Sequence, residues 1–210
     1  MTSILIADDH ALIRRGLREI LSDALGALAC GEAENTRDAL EQVRKRAWDL
    51  LIMDIEMPGR SGIDALRDLK AARPKMPILV LSVHPEERYA KRALKAGAAG
   101  YVCKEGAPAE LLKAVQKVMS GGRYVSPALA EKLAADLGAE TDRPADELLS
   151  DREFEVLRSI ASGKTVSQIA GQLSLSVKTV STYRSRILEK MGMKTNAELT
   201  HYAVRNHLVD

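Results

Sequence analysis

The sequence LLIMDIEMP, which runs from Leu50 to Pro58, decides the predicted fold. Its apolar residues form a nearly continuous run, which is typical of a strand buried on both faces of a parallel sheet. Asp54 follows the first four of these apolar residues, and Pro58 stops the run. In open parallel sheets ligands bind just beyond the carboxyl ends of the strands, so Asp54 is the first candidate functional residue.

A second apolar run ends in two adjacent carboxylates. It covers Ser3–Ala7 and is followed by Asp8 and Asp9. If the two strands end side by side, three carboxylates meet in one crevice, where they repel unless a cation neutralises them. An oxygen-only cluster favours a hard ion, so the sequence predicts a Mg²⁺ site at Asp8, Asp9 and Asp54. The simplest chemistry for such a site is magnesium-assisted phosphoryl transfer.

Strand-like and helix-like patterns alternate along the first 124 residues. Each apolar run predicts a strand and is followed by apolar residues at helical spacing. The predicted strands lie at 3–7, 27–33, from 50 onwards, 77–82 and 100–103. Five strands that alternate with five helices predict an α/β fold with a doubly wound, five-stranded parallel sheet.

Two more polar residues close strands of this predicted sheet. Ser82 ends the fourth strand and Lys104 ends the fifth. A hydroxyl can donate to a phosphoryl oxygen, and an ammonium can hold another one as a point charge. We therefore interpret the polar strand ends as one phosphoryl-transfer site.

The composition changes after residue 124. Segment 125–147 begins with a short predicted helix, carries two basic and six acidic residues, and is interpreted as a linker. Residues 148–210 show no strand-like alternation and form a predicted, smaller all-α domain. Its helices are predicted at 151–162, 167–173, 177–191 and 197–206. Capping boxes support the helix starts, at Ser150 with Glu153, Thr165 with Gln168, and Thr195 with Glu198.

The second and third of these helices predict a helix-turn-helix. A short helix, a tight turn and a hydroxyl-rich basic helix follow one another, and the second helix of such a motif enters the major groove of DNA. From Lys178 to Lys194 there are five basic residues and one acidic residue. The sequence therefore predicts binding to double-stranded DNA.

Composition excludes other classes. Aromatic residues make up only 3% of the chain, which disfavours the base-stacking surfaces of single-strand binders. No stretch approaches the roughly 20 apolar residues of a membrane span, and the first residues lack a basic signal region. We therefore predict a cytoplasmic protein without a membrane partner.

Residues 1–124 resemble the receiver domain of two-component response regulators, and the order of the parts resembles the NarL/FixJ subfamily. The resemblance rests on the acidic residues, on Pro58 with the Gly59/Gly62 loop, and on the pair Lys104-Glu105. It implies a nucleophile, metal ligands, a switch pair and a phosphate-binding lysine. The implied nucleophile is Asp54. The implied metal ligands are Asp8, Asp9 and the main-chain carbonyl of Glu56. The implied switch pair is Ser82 with Tyr101, and the implied phosphate-binding lysine is Lys104.

The resemblance also implies partners. A sensor histidine kinase is expected to phosphorylate Asp54, and Glu56 and His84 are expected to set the lifetime of the phosphate by their positions. The phosphorylated chain is expected to form a homodimer, with RNA polymerase as a further partner of the family.

Several segments of the second domain are similar to the LuxR-type DNA-binding domain. They are Leu149–Leu157, Ala161–Gly163, Ile169-Ala170 and Lys178–Val180. The resemblance makes helix 177–191 the recognition helix and helix 197–206 the element that pairs two domains. The side chains expected to face base edges are Ser181, Thr182 and Ser185. Those expected nearer phosphates are Lys178, Thr179, Tyr183, Arg184, Arg186 and Lys190.

Two alternatives remain open on the sequence alone. One is an atypical DNA-binding regulator that works without phosphorylation. The other is a Mg²⁺-dependent phosphatase of the haloacid dehalogenase type, which also uses an aspartate at a strand end. That enzyme commonly has Thr or Val four residues after its nucleophile, whereas this chain has Pro58 there. We therefore expect a regulator and not an enzyme.

Overall fold

The structure is a computed structural model that describes residues 1–57, 62–83, 86–104, 106, 108–138, 144–206 and 208–209. Pro58, Gly59, His84 and Glu105, which the sequence analysis names, lie outside the described residues. The chain divides into two compact units, Met1–Glu140 and Thr141–Asp210, and each is described by itself.

The first unit contains the predicted parallel sheet. Its strands are β1 (Thr2–Ala7), β2 (Leu28–Ala33), β3 (Leu50–Asp54), β4 (Ile78–Ser82) and β5 (Gly100–Cys103), in the order β2-β1-β3-β4-β5. All pairings are parallel, which confirms the predicted fold class.

The register brings the carboxyl ends of the strands to one edge of the sheet. Ala7 pairs with Met53, Asp54 with Leu81, and Ser82 with Cys103. The polar residues at or just after these strand ends are therefore neighbours in space.

Helices cover both faces of the sheet. They are α1 (Ala11–Leu25), α2 (Thr36–Lys45), α3 (Gly62–Ala72), α4 (Glu86–Lys95), α5 (Pro108–Met119) and α6 (Pro127–Gly138). Successive side chains of a strand point to opposite faces. Leu50 and Ile52 accordingly join one apolar core with residues of α1 and α5, and Leu51 and Met53 join the other with residues of α2, α3 and α4.

The helix predicted inside the linker, α6, belongs to the first unit. Leu129 is buried in the same core cluster as Tyr101, and Leu133 and Val125 pack against that cluster. Leu129 and Leu133 are four residues apart and so lie on one face of the helix. This apolar face holds α6 on the α/β unit, whereas a free linker helix would expose it.

A glycine is required where α3 begins. The Cβ of an alanine at position 62 would lie 2.2 Å from the carbonyl oxygen of Ile55, well inside the distance of any real contact. The start of α3 can pack this closely on the chain that follows β3 only because Gly62 has no side chain.

The described part of the second unit contains a 3₁₀ turn at Ala145–Leu148 and four helices. These are α7 (Asp151–Ala161), α8 (Val166–Gln172), α9 (Val177–Met191) and α10 (Asn196–Arg205). All four predicted helices are present to within one residue at each end. Their apolar faces form a common core from Phe154, Leu157, Ile169, Val180, Ile187 and Leu199.

Side-chain caps start these helices largely as predicted. Ser150 with Glu153, and Thr165 with Gln168, form complete capping boxes. The third predicted box is only half present. Thr195 accepts a hydrogen bond from the Glu198 amide, but the Glu198 carboxylate accepts from the Lys194 amide, one residue before the expected donor.

In the described part of the chain, no helix has both the length and the apolar character needed to cross a membrane.

We predict that Gly62→Ala lowers the free energy of unfolding of the first unit by about 1–3 kcal/mol, because the new methyl group forces the backbone apart. The matched control is Gly16→Ala in α1, where no atom lies within 4 Å of the added Cβ. Alanine is favoured over glycine inside a helix by up to about 1 kcal/mol, so this control should be neutral or stabilising.

Denaturant unfolding followed by the fluorescence of Trp48, the single tryptophan of the chain, reports on the first unit. Equal midpoints for Gly62→Ala and the wild type would show that the close approach at Ile55 is not a constraint.

Candidate functional site

Three carboxylates meet at the carboxyl edge of the sheet. Asp8 follows β1 and Asp54 ends β3, the neighbouring strand, and their exposed fractions are 1% and 4%. Asp9 lies beside them, and His10 joins the group at the start of α1. One potential ligand atom from each of these four residues lies within 4.8 Å of the others. We call Asp8, Asp9 and Asp54 the acidic pocket.

The Lys104 ammonium bridges the two buried carboxylates. Its Nζ lies 2.6 Å from Asp8 Oδ2 and 2.6 Å from Asp54 Oδ2. The Glu56 amide donates a hydrogen bond of 2.9 Å to the other Asp54 oxygen, Oδ1. The predicted grouping of these strand-end residues is therefore present in the structure.

Burial and charge act in opposite directions on this pair. Burial raises the pKa of the Asp54 carboxyl above its usual range, and the bonds from Lys104 and from the Glu56 amide only partly offset this effect. Burial alone would lower the pKa of Lys104, but its contacts with Asp54 and Asp8 outweigh burial and raise it. The lysine therefore stays charged between the carboxylates.

The acidic pocket fits a hard cation. Asp9 Oδ1 is a buried side-chain oxygen that accepts no hydrogen bond, although His10 Nδ1 lies 2.9 Å away, and the buried Asp8 Oδ2 has the Lys104 ammonium as a neighbour. Carboxylate oxygens with free lone pairs at one point are the ligands that Mg²⁺ prefers. The residues present are thus consistent with the predicted metal site.

Ser82 and Tyr101, the predicted switch pair, are in contact. Both are completely buried, and their hydroxyls share a hydrogen bond. Burial raises the pKa of Tyr101, so its hydroxyl keeps its proton. Tyr101 is already turned inward in this structure, in the core cluster that also contains Leu129.

One residue of the site escaped the sequence analysis. Arg14 on α1 is buried, and its guanidinium donates to the main-chain carbonyl of Asp8 at 2.7 Å. The signal was present, because Arg14 shares the buried face of α1 with Leu17 and Leu21 at helical spacing. An arginine on an apolar face needs buried acceptors.

The predicted recognition helix, α9, presents a polar face. Val180, Ile187 and Met191 are buried, and Thr179, Tyr183 and Arg184 are half-buried. The exposed predicted contacts are Lys178, Ser181, Thr182, Ser185, Arg186 and Lys190. Helix α9 begins at the Ser176 cap and ends at Gly192 in the left-handed conformation.

Two of the basic side chains predicted as phosphate contacts, Lys190 and Arg184, bond to side chains of the second unit. Lys190 Nζ donates to Glu153 Oε2 at 2.6 Å, and that carboxylate is almost completely buried on α7. Arg184 Nε donates to Asn196 Oδ1 at 2.6 Å, next to the start of α10. Lys190 stays a predicted phosphate contact, and in this structure the Lys190–Glu153 pair joins α9 to α7.

Residues 4–116 match the family of response regulator receiver domains, and residues 147–203 match the luxR family of bacterial regulatory proteins. The chain belongs to the response regulators. The resemblance inferred from the sequence is thereby confirmed, and the family consists of two-component transcription regulators and not of enzymes. The alternative of a haloacid dehalogenase-type phosphatase is therefore abandoned.

Known response regulators match over almost the full chain. Response regulator UvrY of Escherichia coli K12 is 38% identical over 209 residues, which are 99% of this chain and 96% of that protein. Response regulator GacA of Pseudomonas aeruginosa is 38% identical over 212 residues, with 100% and 99% of the two chains covered.

Solved structures of RcsB are similar as well. RcsB from Salmonella enterica serovar Typhimurium, bound to promoter rprA in the presence of the phosphomimetic BeF₃⁻, matches with 31% identity and a TM-score of 0.70. The match covers 96% of this chain and 97% of that chain. A second structure of this regulator, from Salmonella typhimurium, has a TM-score of 0.72 at 29% identity, with 96% of each chain covered.

We predict that Lys190→Met destabilises the packing of α7 on α9. Breaking a fully buried ion pair costs about 3–5 kcal/mol, and the partly exposed Lys190 side chain reduces the expected loss to about 1–2 kcal/mol. Hydrogen–deuterium exchange of peptides from α7 and α9 should become faster in the full chain, and Lys190→Arg should behave like the wild type. Unchanged exchange, together with a smaller salt dependence of DNA binding, would make Lys190 a phosphate contact without a role in packing.

The same pair gives a pH dependence. Burial alone would raise the pKa of Glu153, but the Lys190 ammonium and the Ser150 amide reverse this effect and lower it. The stabilisation is therefore present above the unfolded pKa of glutamate, about 4.3, and is lost as the pH falls through the lower folded value. In Lys190→Met the folded pKa of Glu153 loses the lowering by the ammonium, so the loss of stability on acidification below about pH 4.3 should be smaller than in the wild type.

Proposed function

We propose that a sensor histidine kinase phosphorylates this response regulator on Asp54, and that the phosphorylated chain dimerises on double-stranded DNA to control transcription. The observation that supports this proposal best is the position of Asp54, buried beside Asp8 and Asp9 and in contact with the Lys104 ammonium. A carboxylate in this setting has a cationic partner ready for a phosphoryl group.

Asp8, Asp9 and Asp54 are proposed to hold Mg²⁺, with the main-chain carbonyl of Glu56 as a further ligand. The bound ion would neutralise negative charge that develops during phosphoryl transfer. The hydrogen bond from the Glu56 amide to Asp54 supports this arrangement, because it keeps the main chain of Glu56 next to the carboxylate.

The proposed transfer uses a carboxylate oxygen of Asp54 as the nucleophile. An oxygen–phosphorus bond forms as the nitrogen–phosphorus bond of the donor phosphohistidine breaks, and the imidazole of the kinase leaves. The Lys104 ammonium, now shared between Asp8 and Asp54, exchanges a carboxylate oxygen for a phosphoryl oxygen. Electrostatic stabilisation of this kind is the main contribution of a protein to phosphoryl transfer.

Ser82 and Tyr101 are proposed to pass the change on. A phosphoryl oxygen on Asp54 competes with the Tyr101 hydroxyl for the hydrogen bond of Ser82. Tyr101 shares its core cluster with Leu129 of α6, and close-packed cores transmit strain. A change at Tyr101 therefore alters the surface that holds α6. In this proposal His84 and the Glu56 side chain still set the lifetime of the phosphate.

Helix α9 is proposed to enter the major groove. Thr182 and Ser185 donate their hydroxyl hydrogens to the carbonyls of Lys178 and Ser181, at 3.0 and 3.1 Å. Their free lone pairs can therefore only accept, which favours the amino groups of adenine and cytosine at the contacted positions. Ser181 completes this base-facing group. The proposed phosphate contacts are Lys178, Thr179, Tyr183, Arg184, Arg186 and Lys190, and for Arg184 and Lys190 the contact requires rearrangement of their bonds to Asn196 and Glu153.

Helix α10 is proposed to pair two DNA-binding domains. Val204 lies on this helix and is 50% exposed, although it is apolar. RcsB has been solved as two dimers bound to two parallel DNAs, a structure that matches with a TM-score of 0.61 at 28% identity. A two-fold dimer of this chain would contact half-sites about one helical turn of DNA apart. RNA polymerase as a further partner and the cytoplasm as the location also remain proposals.

We predict that Asp54→Asn abolishes covalent labelling by acetyl phosphate in the presence of Mg²⁺, because an amide is not a nucleophile for phosphorus. The exposed Asp23→Asn is the matched control and should label like the wild type. Sedimentation of the labelled wild type should show a shift towards dimer that Asp54→Asn lacks. Retained label in Asp54→Asn would refute the assignment, and labelling without any change in dimer or DNA affinity would favour the phosphorylation-independent regulator.

We predict that Lys178→Ala weakens DNA binding by a similar factor on all sequences and reduces the slope of log affinity against log salt by about one. Lys45→Ala in α2 removes the same charge from the first unit and serves as the control. Binding to genomic fragments over a range of salt concentrations measures both effects. A loss confined to one base position would assign Lys178 to base readout instead.

A further inference from the structure

We propose that Arg14 is a positioning residue for the acidic pocket, which fixes the peptide between Asp8 and Asp9 in the orientation that cation binding requires. This inference rests on the proposed Mg²⁺ site and extends it to a residue outside the carboxylates.

The guanidinium of Arg14 is held at three points. Only 7% of its side chain is exposed, and it uses three different nitrogens as donors. Nη1 donates to the Asp8 carbonyl at 2.7 Å, Nε to Glu32 Oε2 at 3.0 Å, and Nη2 to Glu34 Oε1 at 2.8 Å. Arg14 thereby ties α1 to the ends of β1 and β2.

The contact with Asp8 controls the direction of Asp9. The Asp8 carbonyl belongs to the same rigid peptide plane as the Asp9 amide, so a bond to that carbonyl fixes where the Asp9 main chain begins. Asp9 Oδ1 accepts no hydrogen bond, and its ion-pair neighbour, at 2.9 Å, is Nδ1 of His10, whose side chain is 67% exposed. An exposed imidazole is a weak restraint, so the main chain determines the position of this carboxylate.

Arg14 also pairs with two acids outside the pocket. Glu32 and Glu34 lie at and just beyond the carboxyl end of β2, next to β1, and Arg14 pairs with both. The planar fork of a guanidinium can serve three acceptors in fixed directions, whereas a lysine ammonium is a point charge on a flexible stem. A lysine at position 14 would keep the charge and lose the geometry.

The test is a calorimetric titration of the full chain with Mg²⁺, comparing the wild type with Arg14→Lys. Loss of a residue that orients metal ligands typically costs 10- to 100-fold in metal affinity, and we expect at least a tenfold rise in the Mg²⁺ dissociation constant. Arg18→Lys is the matched control. Arg18 lies one turn further along α1 and donates to Glu32 Oε1 at 2.8 Å. Its replacement should leave the dissociation constant unchanged.

A second variant keeps the test conclusive if Arg14→Lys does not fold. Arg14→Met keeps an unbranched apolar stem on the buried face of α1 and removes every donor, and it should weaken Mg²⁺ binding at least as much as Arg14→Lys. Circular dichroism and Trp48 fluorescence show whether each variant is folded. A folded Arg14→Lys or Arg14→Met with wild-type Mg²⁺ affinity overturns the proposal, and so does failure of both to fold, since Arg14 is then required for stability instead.

The wild-type titration separates this inference from the proposed function. No Mg²⁺ binding by the wild type would remove the metal site itself. Binding by the wild type that weakens in the Arg14 variants and persists in Arg18→Lys would establish the positioning role.

Discussion

The Lys104 ammonium lies 2.6 Å from a carboxylate oxygen of both Asp8 and Asp54, and the acidic pocket depends on this contact because two buried carboxylates repel each other. The sheet prevents the carboxylates from moving apart, since Ala7 and Met53, the residues just before them, are paired between β1 and β3. Lys104 is positioned by the sheet as well, because its amide donates to the Ser82 carbonyl at 2.7 Å and joins the ends of β4 and β5. Backbone pairing thus determines the geometry, and one cation compensates the charge.

The sequence predicted this pocket because its residues are tied to strand ends. Apolar runs indicate strands, a parallel sheet brings their carboxyl ends to one edge, and the polar residues that follow, such as Asp54 and Lys104, must then be neighbours. The four helices of the second unit were predictable for a similar reason, since Ser150, Thr165 and Ser176 cap helices through bonds that span three residues of sequence. Local rules of this kind can be read without any knowledge of tertiary packing.

The parts that were not predicted depend on contacts between distant segments. Arg14 pairs with Glu32 at a sequence separation of 18 residues, and Lys190 pairs with Glu153 at a separation of 37 residues. Neither pair therefore has a local sequence signature. The same limit applies to α6, whose small and acidic surroundings resemble a linker while Leu129 packs into the core of the first unit. Even within one turn, the Glu198 carboxylate accepts a hydrogen bond from the Lys194 amide and not from the expected Thr195 amide. Composition and helical spacing identify a face of a helix but not the surface that will cover it.

The ion pairs of Lys104 and Lys190 show how a functional contact differs from a structural one. Lys190 and Lys104 both bring an ammonium to a buried carboxylate at 2.6 Å. Glu153 Oε2 already accepts the Ser150 amide in a capping box, so Lys190 completes a satisfied group, and a new ligand would have to break a helix start to reach it. In the acidic pocket, by contrast, the buried Asp9 Oδ1 accepts no hydrogen bond. Unused lone pairs at the edge of a rigid sheet lower the cost of admitting a cation and a phosphoryl group, because both add partners and break no part of the fold. Lys104 can therefore exchange its partners although it is buried. Glu153 cannot exchange its partners without disturbing the start of α7.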